Sequence, residues 1–300
     1  MNRENERYDR VTALDQGFKT VVHDSDVLSW LIRSNVDEFM DKSIDEIKAC
    51  LNIGEDGRTV IGRETEYGSH KNGMIVTDSI FDVRIPGTDD EISVIVNLDG
   101  QYDPNPGYPL EKRAEYYLAR LVSSQKGIDF TGDDYGKIRK VYSIWIILDP
   151  RSEYRNTVVR YKMEGRNIAG DPNRRITPMD TFNIVFINTG RYDSTLPDVT
   201  AFPAALFSKM GMEERQELMM NKFNIALNDV INREVENMTT LDEDRINYGF
   251  RMGQTAEKID TVIRLIKEEN WPVEKAMSFA NIPEDMRGDV ERKIREQLDL

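Results

Sequence analysis

The chain has 300 residues, 39% hydrophobic and 31% charged, enough apolar material to bury one large core or two modest ones behind a solvated surface. Its 54 acids outnumber its 40 bases for a formal charge of −14, which argues against a broad phosphate-binding surface while still permitting a local basic groove. A single cysteine, Cys50, and two widely separated histidines, His23 and His70, exclude disulfide frameworks and Cys/His zinc centres, so any metal would have oxygen ligands.

No apolar run approaches the roughly 18 residues that a membrane span needs, and the start, MNRENERYDR, lacks an apolar leader core; the expectation is a cytoplasmic protein with no membrane partner. After that polar tail (1–10), residues 11–50 are expected to be helical. Ala13, Phe18, Val21, Val22, Val27, Leu28, Leu31 and Ile32 supply apolar stripes, and Ser43 with Glu46 has capping-box spacing. Residues 51–77 read as irregular, punctuated by glycines. Strands are expected at about 79–87 and 92–101, then a helix at about 110–126, then strands at 142–148, 157–163 and 181–187. Tyr142 to Leu148 is apolar at nearly every position, as a central strand covered on both faces would be. From Ala204 the chain turns helical, and Pro272 and Pro283 each stand where a new helix can begin. This order suggests an α/β core with a helical region at 241–300.

The stretch FDVRIPGTDDEISVIVNLDGQ reads as a hairpin turning around Thr88-Asp89-Asp90-Glu91. In that register Val83 lies opposite Leu98 and Ile85 opposite Val96, and the other face pairs Asp82 with Asp99 and Arg84 with Asn97. Opposed Cβ atoms are roughly 5 Å apart, so two carboxylates there could share one cation. Gln101 projects on the same face as Asp99. Two close carboxylates without a counter-charge imply a proton or a metal between them, and Mg²⁺ or Mn²⁺ fits oxygen donors best. Acids near strand ends are also common as solvated turn residues, and spacing alone leaves both alternatives open.

The ordered segments LDQGFK (14–19), GRETEYGSHKNGMIVTDSIFDV (62–83), VNLDGQ (96–101), PGYPLEKRAEYYLARLVSSQ (106–125) and DYGKIRKVYSIWIILDP (134–150) together resemble the PD-(D/E)XK nuclease superfamily. Within it they look like the branch of recombination-promoting nucleases and putative transposases, over most of residues 11–240. The resemblance implies a restriction-endonuclease-like mixed sheet flanked by helices, with a helical C-terminal extension. It also implies a DNA endonuclease linked to mobile genetic elements or anti-phage defence. Carried over, Asp82, Asp99 and Gln101 are the catalytic positions, and Asp82, Asp99 and the Gly100 carbonyl hold Mg²⁺ or Mn²⁺. Asp99 stands where the branch usually has Glu, one methylene longer. Gln101 stands where the superfamily has Lys, and an amide can orient water but supplies no positive charge. These departures keep open an inactive nuclease-fold protein acting as a binding or regulatory module.

On the helix at 111–126, Ala114, Leu118, Leu121 and Val122 form the buried stripe, beside a face carrying Arg113, Tyr116, Tyr117 and Arg120. Arg113, Tyr117 and Arg120 are candidate substrate contacts; the alternative is a solvated face paired with Glu111 and Glu115. The KIRK run at 137–140 reads as a solvated edge. Glu64, Glu66 and Asp15 are further carboxylates, more at home on the surface. His23 and His70 read as surface or loop residues, and Cys50 as a core thiol. The helices around Trp271–Ile294 suit packing or homo-oligomerisation better than base readout, because acids and bases are mixed along them.

Overall fold

The computed structural model describes residues 14–63, 66–69, 73–76, 78–86, 93–102, 108–171, 175–239, 259, 261–267, 269, 271–280, 282 and 287–298. The chain separates into two compact units, Met1–Thr239 and Thr240–Leu300.

The first unit is α/β. Helical backbone over 14–22 (α1) leads into α2 (Ser25–Asn35) and α3 (Ile44–Lys48). Two short strands, β1 (Glu66–Ser69) and β2 (Gly73–Val76), pair with each other, where the glycine-rich sequence suggested only irregular chain. The main sheet holds β3 (Ser79–Arg84), β4 (Ser93–Gln101), β5 (Val141–Ile147), β6 (Thr157–Lys162) and β7 (Phe182–Asn188), in the order β3-β4-β5-β7-β6. β3 and β6 run antiparallel to their neighbours, and the β4–β5 and β5–β7 pairs are parallel. A parallel pair needs a crossover, which α4 (Leu110–Ser124) supplies between β4 and β5. Helices α5 (Asp198–Phe207), α6 (Met212–Phe223) and the helical residues 229–239 (α7) follow.

Burial explains the composition of each strand. Every residue of the central β5 is buried, so alternation gives way to a continuous apolar run. One face of the sheet, through Val83, Val96, Leu98, Tyr142, Ile144 and Val185, packs against α1, α2, α5 and α6 in the largest core. The other face is covered by α4: Leu118 and Leu121 meet Ile80, Ile95 and Val141, and Ala114 meets Trp145, Ile147 and Phe186. Local signals fix the helix starts. Asp24 accepts from the N–H groups of Asp26 and Val27 at 3.0 and 3.1 Å, and the Ser43–Glu46 capping box opens α3.

Helix α1 is pinned to the end of β4. A Cβ added at Gly100 would lie 2.8 Å from the ring of Phe18, so this position needs glycine for the helix to approach. The Tyr102 hydroxyl donates to the Leu14 carbonyl at 3.0 Å, holding the start of the helix.

The register of the β3–β4 hairpin differs from the expected one. Ser79 pairs with Leu98, Phe81 with Val96, Asp82 with Ile95 and Val83 with Val94. Asp82 therefore lies four residues short of Asp99, about 13 Å along the strand, and no single ion could touch both. The slip is even-numbered, so it preserves which face each residue occupies and changes only its partner. The expected turn, Thr88 to Glu91, lies outside the described residues.

In the second unit, Pro272 precedes the helix Val273–Phe279, and a further helix spans Arg287–Leu298. Ile259, Val262, Ala276, Met277, Ile282, Val290 and Ile294 form its core. Pro283 lies outside the described residues. No helix among the described residues is long and apolar enough to cross a membrane.

Candidate active site

The hairpin register brings Asp78, not Asp82, to Asp99. Asp78 immediately precedes β3, and continuing the Ser79–Leu98 pairing by one residue sets it level with Asp99. The Gly100 N–H donates to Asp78 Oδ2 at 2.7 Å, and the Asp78 N–H donates in turn to the Asp99 carboxylate. Each acid is thus held by the backbone of the other's strand. Asp99 is 4% exposed, in a position where a carboxylate needs compensation. Burial first, and then the Asp78 charge, pushes Asp99 up to about 7. Burial likewise raises Asp78 to about 6, against the lowering effect of the Gly100 hydrogen bond.

Other groups converge on this pair. Lys19 and Arg113 act electrostatically on Asp78, as does Asp15, whose own carboxyl is raised by burial. Asp15 and Lys19 stand one helical turn apart on α1, the helix anchored by Phe18 over Gly100. Among the described residues, no Lys or Arg forms an ion pair with Asp78 or Asp99. The Asn97 amide donates to Asp99 and, at 3.3 Å, to the Ser143 hydroxyl, which also accepts from the Trp145 indole at 3.0 Å. Asn97 Oδ1 is buried and meets no hydrogen-bond donor among the described residues.

The donor set suits a hard divalent cation: the buried carboxylate of Asp99 and the half-buried one of Asp78, flanked by the amide of Gln101 on the same face as Asp99. Among the described residues no three His, Cys, Asp or Glu side chains gather closely enough to hold a metal by themselves, so water and neutral oxygens would complete the shell.

Arg113 links this centre to α4. Its Nη1 lies 3.5 Å from Gln101 Oε1 and 3.1 Å from the Tyr108 hydroxyl, while the guanidinium stacks 5.0 Å from the Tyr117 ring centroid and 5.3 Å from that of Trp145. Tyr108, Pro109, Lys112, Arg113, Tyr116 and Tyr117 line an open pocket of about 520 Å³. Arg120 donates to the Tyr116 hydroxyl at 2.9 Å, so the expected Arg/Tyr face is assembled, although these side chains bond one another.

Asp82 belongs to a different construction. Its two oxygens accept from Arg63 Nε at 2.5 Å and Arg139 Nη1 at 2.6 Å, and both arginines also bind Asp129. The Arg63 N–H donates to Ile80 O at 2.7 Å, which fixes that arginine beside β3. Arg139 also reaches the Ser93 hydroxyl at 2.7 Å. With both oxygens clamped by guanidinium groups, Asp82 is a structural acid. The same network corrects the view of KIRK as a solvated edge: Arg139 is mostly buried, and Lys140 binds Glu38 at 2.8 Å and Asp180 at 2.6 Å.

His23 sits in the turn between α1 and α2, as expected of a loop residue, but is half-buried rather than solvated. Its Nδ1 lies 2.8 Å from Val60 O and its Nε2 3.0 Å from Ser79 Oγ, the arrangement of a neutral ring that donates to the carbonyl and accepts from the hydroxyl. Burial lowers its pKa, which favours that neutral form and steadies the residue following Asp78. Cys50 is a buried thiol donating to Glu46 O at 3.2 Å. Glu64 and His70 lie outside the described residues, as does the side chain of Glu66. Asp78 is the functional candidate that the sequence pattern missed, because it stands ahead of the apolar alternation; counting back from Asp99 in the true register finds it. No family model, curated protein or solved structure matches the chain.

Proposed function

We propose that the protein is a divalent-metal-dependent DNA endonuclease in which Asp78, rather than Asp82, partners Asp99 in the metal centre. The observation that carries this is the pairing of a buried carboxylate, Asp99, with a half-buried one, Asp78, each anchored by the backbone of the opposite strand, with no cationic side chain bonded to either among the described residues. Asp82, in the same hairpin, is by contrast neutralised by two arginines. A carboxylate pair with no bonded cationic partner can take a cation from outside.

Asp78 and Asp99 would hold Mg²⁺ or Mn²⁺, which when bound polarises a phosphoryl oxygen and makes nearby water a better nucleophile. Gln101 would orient that water through its amide. The positive charge that an amide cannot give would come from Arg113, 3.5 Å from Gln101 Oε1, and from Lys19 on α1, both of which act on Asp78. Tyr117 holds the Arg113 guanidinium flat, and Arg120 extends the cationic face along α4 toward a phosphate backbone. The linked sequence segments that resemble the PD-(D/E)XK superfamily support the same assignment, with a restriction-endonuclease-like core as the scaffold proposed for it.

Plasmid nicking in Mg²⁺ or Mn²⁺ tests the proposal: Asp78→Asn and Asp99→Asn each lose it, and Asp82→Asn retains it. The rival, a nuclease-fold module that binds without turnover, draws on Gln101 in place of lysine and on the −14 charge. Calorimetric titration separates the two, since absence of Mn²⁺ binding at millimolar concentration removes the metal centre.

A further inference from the structure

We propose that the α4 pocket is a stacking site for an unpaired nucleotide, which makes single-stranded or frayed DNA the preferred ligand over intact duplex. This inference rests on the nuclease assignment for its choice of polymer, but it concerns binding and is tested separately.

Three features of the pocket point to a base with its phosphate. Its volume of about 520 Å³ falls within the range of small-ligand sites. Its walls are aromatic: Tyr108 and Tyr116 are 49% and 51% exposed, leaving ring surface that a base can cover. Its charges are Lys112 and Arg113, with Arg120 at the Tyr116 hydroxyl, a local basic cluster on a strongly acidic chain; Lys112 also pairs with Glu115 at 2.7 Å. Aromatic faces beside cationic groups are how proteins hold single strands without regard to sequence, because every base has a π-face. Bases inside a duplex are already stacked above and below, so tyrosine faces gain nothing from them until a nucleotide is unpaired.

Arg113 links the pocket to the strand that carries Asp99. It lines the pocket and reaches Gln101, so a nucleotide seated on Tyr116 and Tyr108 has its backbone led toward Asp99 by one side chain. Stacking on Tyr117 and Trp145 fixes that guanidinium, making it a positioning group for the strand.

The experiment measures fluorescence anisotropy of a labelled oligothymidylate and of a blunt duplex of equal length, with full-length protein in EDTA so that no strand is cut. Single strand is expected to bind at least about tenfold more tightly than duplex. Tyr108→Ala with Tyr116→Ala lowers single-strand affinity about tenfold and leaves duplex affinity and the melting temperature unchanged, while Tyr116→Phe, which keeps the ring, behaves like wild type. Equal affinity for the two forms, no binding to either, or indifference to the double alanine variant overturns the inference. Tyrosine-dependent single-strand binding by a protein that never cuts DNA in Mn²⁺ upholds it and removes the nuclease assignment; cutting without tyrosine dependence does the reverse.

Discussion

Asp82 and Asp99 lie on the same face of one hairpin, four residues apart in register, and their surroundings differ in kind. Around Asp82, two arginines and Asp129 form a closed set in which every carboxylate oxygen is met by a guanidinium. Around Asp99, a second acid arrives instead of a base, and the neighbouring donors are backbone N–H groups and one amide. Both arrangements bring acids together. Among the described residues only the first meets its acids with cationic side chains, and the proposed metal centre rests on that difference.

The sharpest way to break this comparison is to neutralise one member of each set. Asp78→Asn or Asp99→Asn is expected to reduce Mn²⁺-dependent cleavage by at least about 10³-fold. Asp82→Asn leaves cleavage near wild type and costs about 1 kcal/mol of stability in urea denaturation, because that acid is partly exposed. Retained cleavage in Asp99→Asn, or its loss only in Asp82→Asn, would invert the assignment.

Next in size is the pH dependence of stability in chelator. Asp78 and Asp99 are raised to about 6 and about 7, so the folded state holds their protons more tightly than the unfolded chain does. Their contribution is complete below the ordinary carboxylate pKa of 3.8 and is lost as pH rises through about 6 and then about 7. Between pH 5 and 8 the loss is on the order of 4 kcal/mol. Asp37 and Asp56 have the opposite sign: their lowered pKa values stabilise the fold above the carboxylate range, and that stability disappears on acidification. Denaturation midpoints across this window should flatten in the Asp78→Asn, Asp99→Asn double variant and in saturating Mn²⁺. An unchanged slope in the double variant would place the titration elsewhere.

Removing a clamp has a smaller effect and leaves the proposed metal centre alone. Arg139→Ala leaves Asp129, only 12% exposed, with Arg63 as its remaining arginine partner and strips one oxygen of Asp82, for a loss of about 2 kcal/mol in denaturant unfolding. Mn²⁺ affinity stays unchanged. A variant of wild-type stability would mean that the network is no more than a solvated surface cluster.

Local features of the fold were legible in the sequence. The Ser43–Glu46 capping box, the apolar run that became β5 and the stripe of Ala114, Leu118 and Leu121 on α4 all follow from spacing within one element. The shared face of Asp99 and Gln101 was legible too, since alternation fixes it whatever the partner strand does. The partner was not. A slip of an even number of residues keeps the apolar face apolar, so the pattern accepts Asp82 opposite Ile95 or opposite Asp99 equally well. The arginine clamp left no local trace either, because Arg63 and Asp129 are 66 residues apart and meet only after α4 has crossed the sheet.

The mildest perturbation acts on the reverse face of the strand. Gly100 separates Asp99 from Gln101 and turns toward α1, where a Cβ would lie 2.8 Å from the Phe18 ring. That ring cannot yield easily: Phe18 is fully buried and stacks on Phe207 at 6.3 Å. Gly100→Ala therefore displaces α1 rather than the ring, at a cost of about 1 kcal/mol. The helix carries Asp15 and Lys19, both of which act on Asp78, so its displacement should weaken Mn²⁺ binding as well as stability. Calorimetric titration beside urea denaturation separates the two effects. Lower stability with unaltered Mn²⁺ affinity would confine α1 to packing and leave Asp78 and Asp99 as the whole of the protein's contribution to the ion, whereas a joint loss makes the helix part of the site.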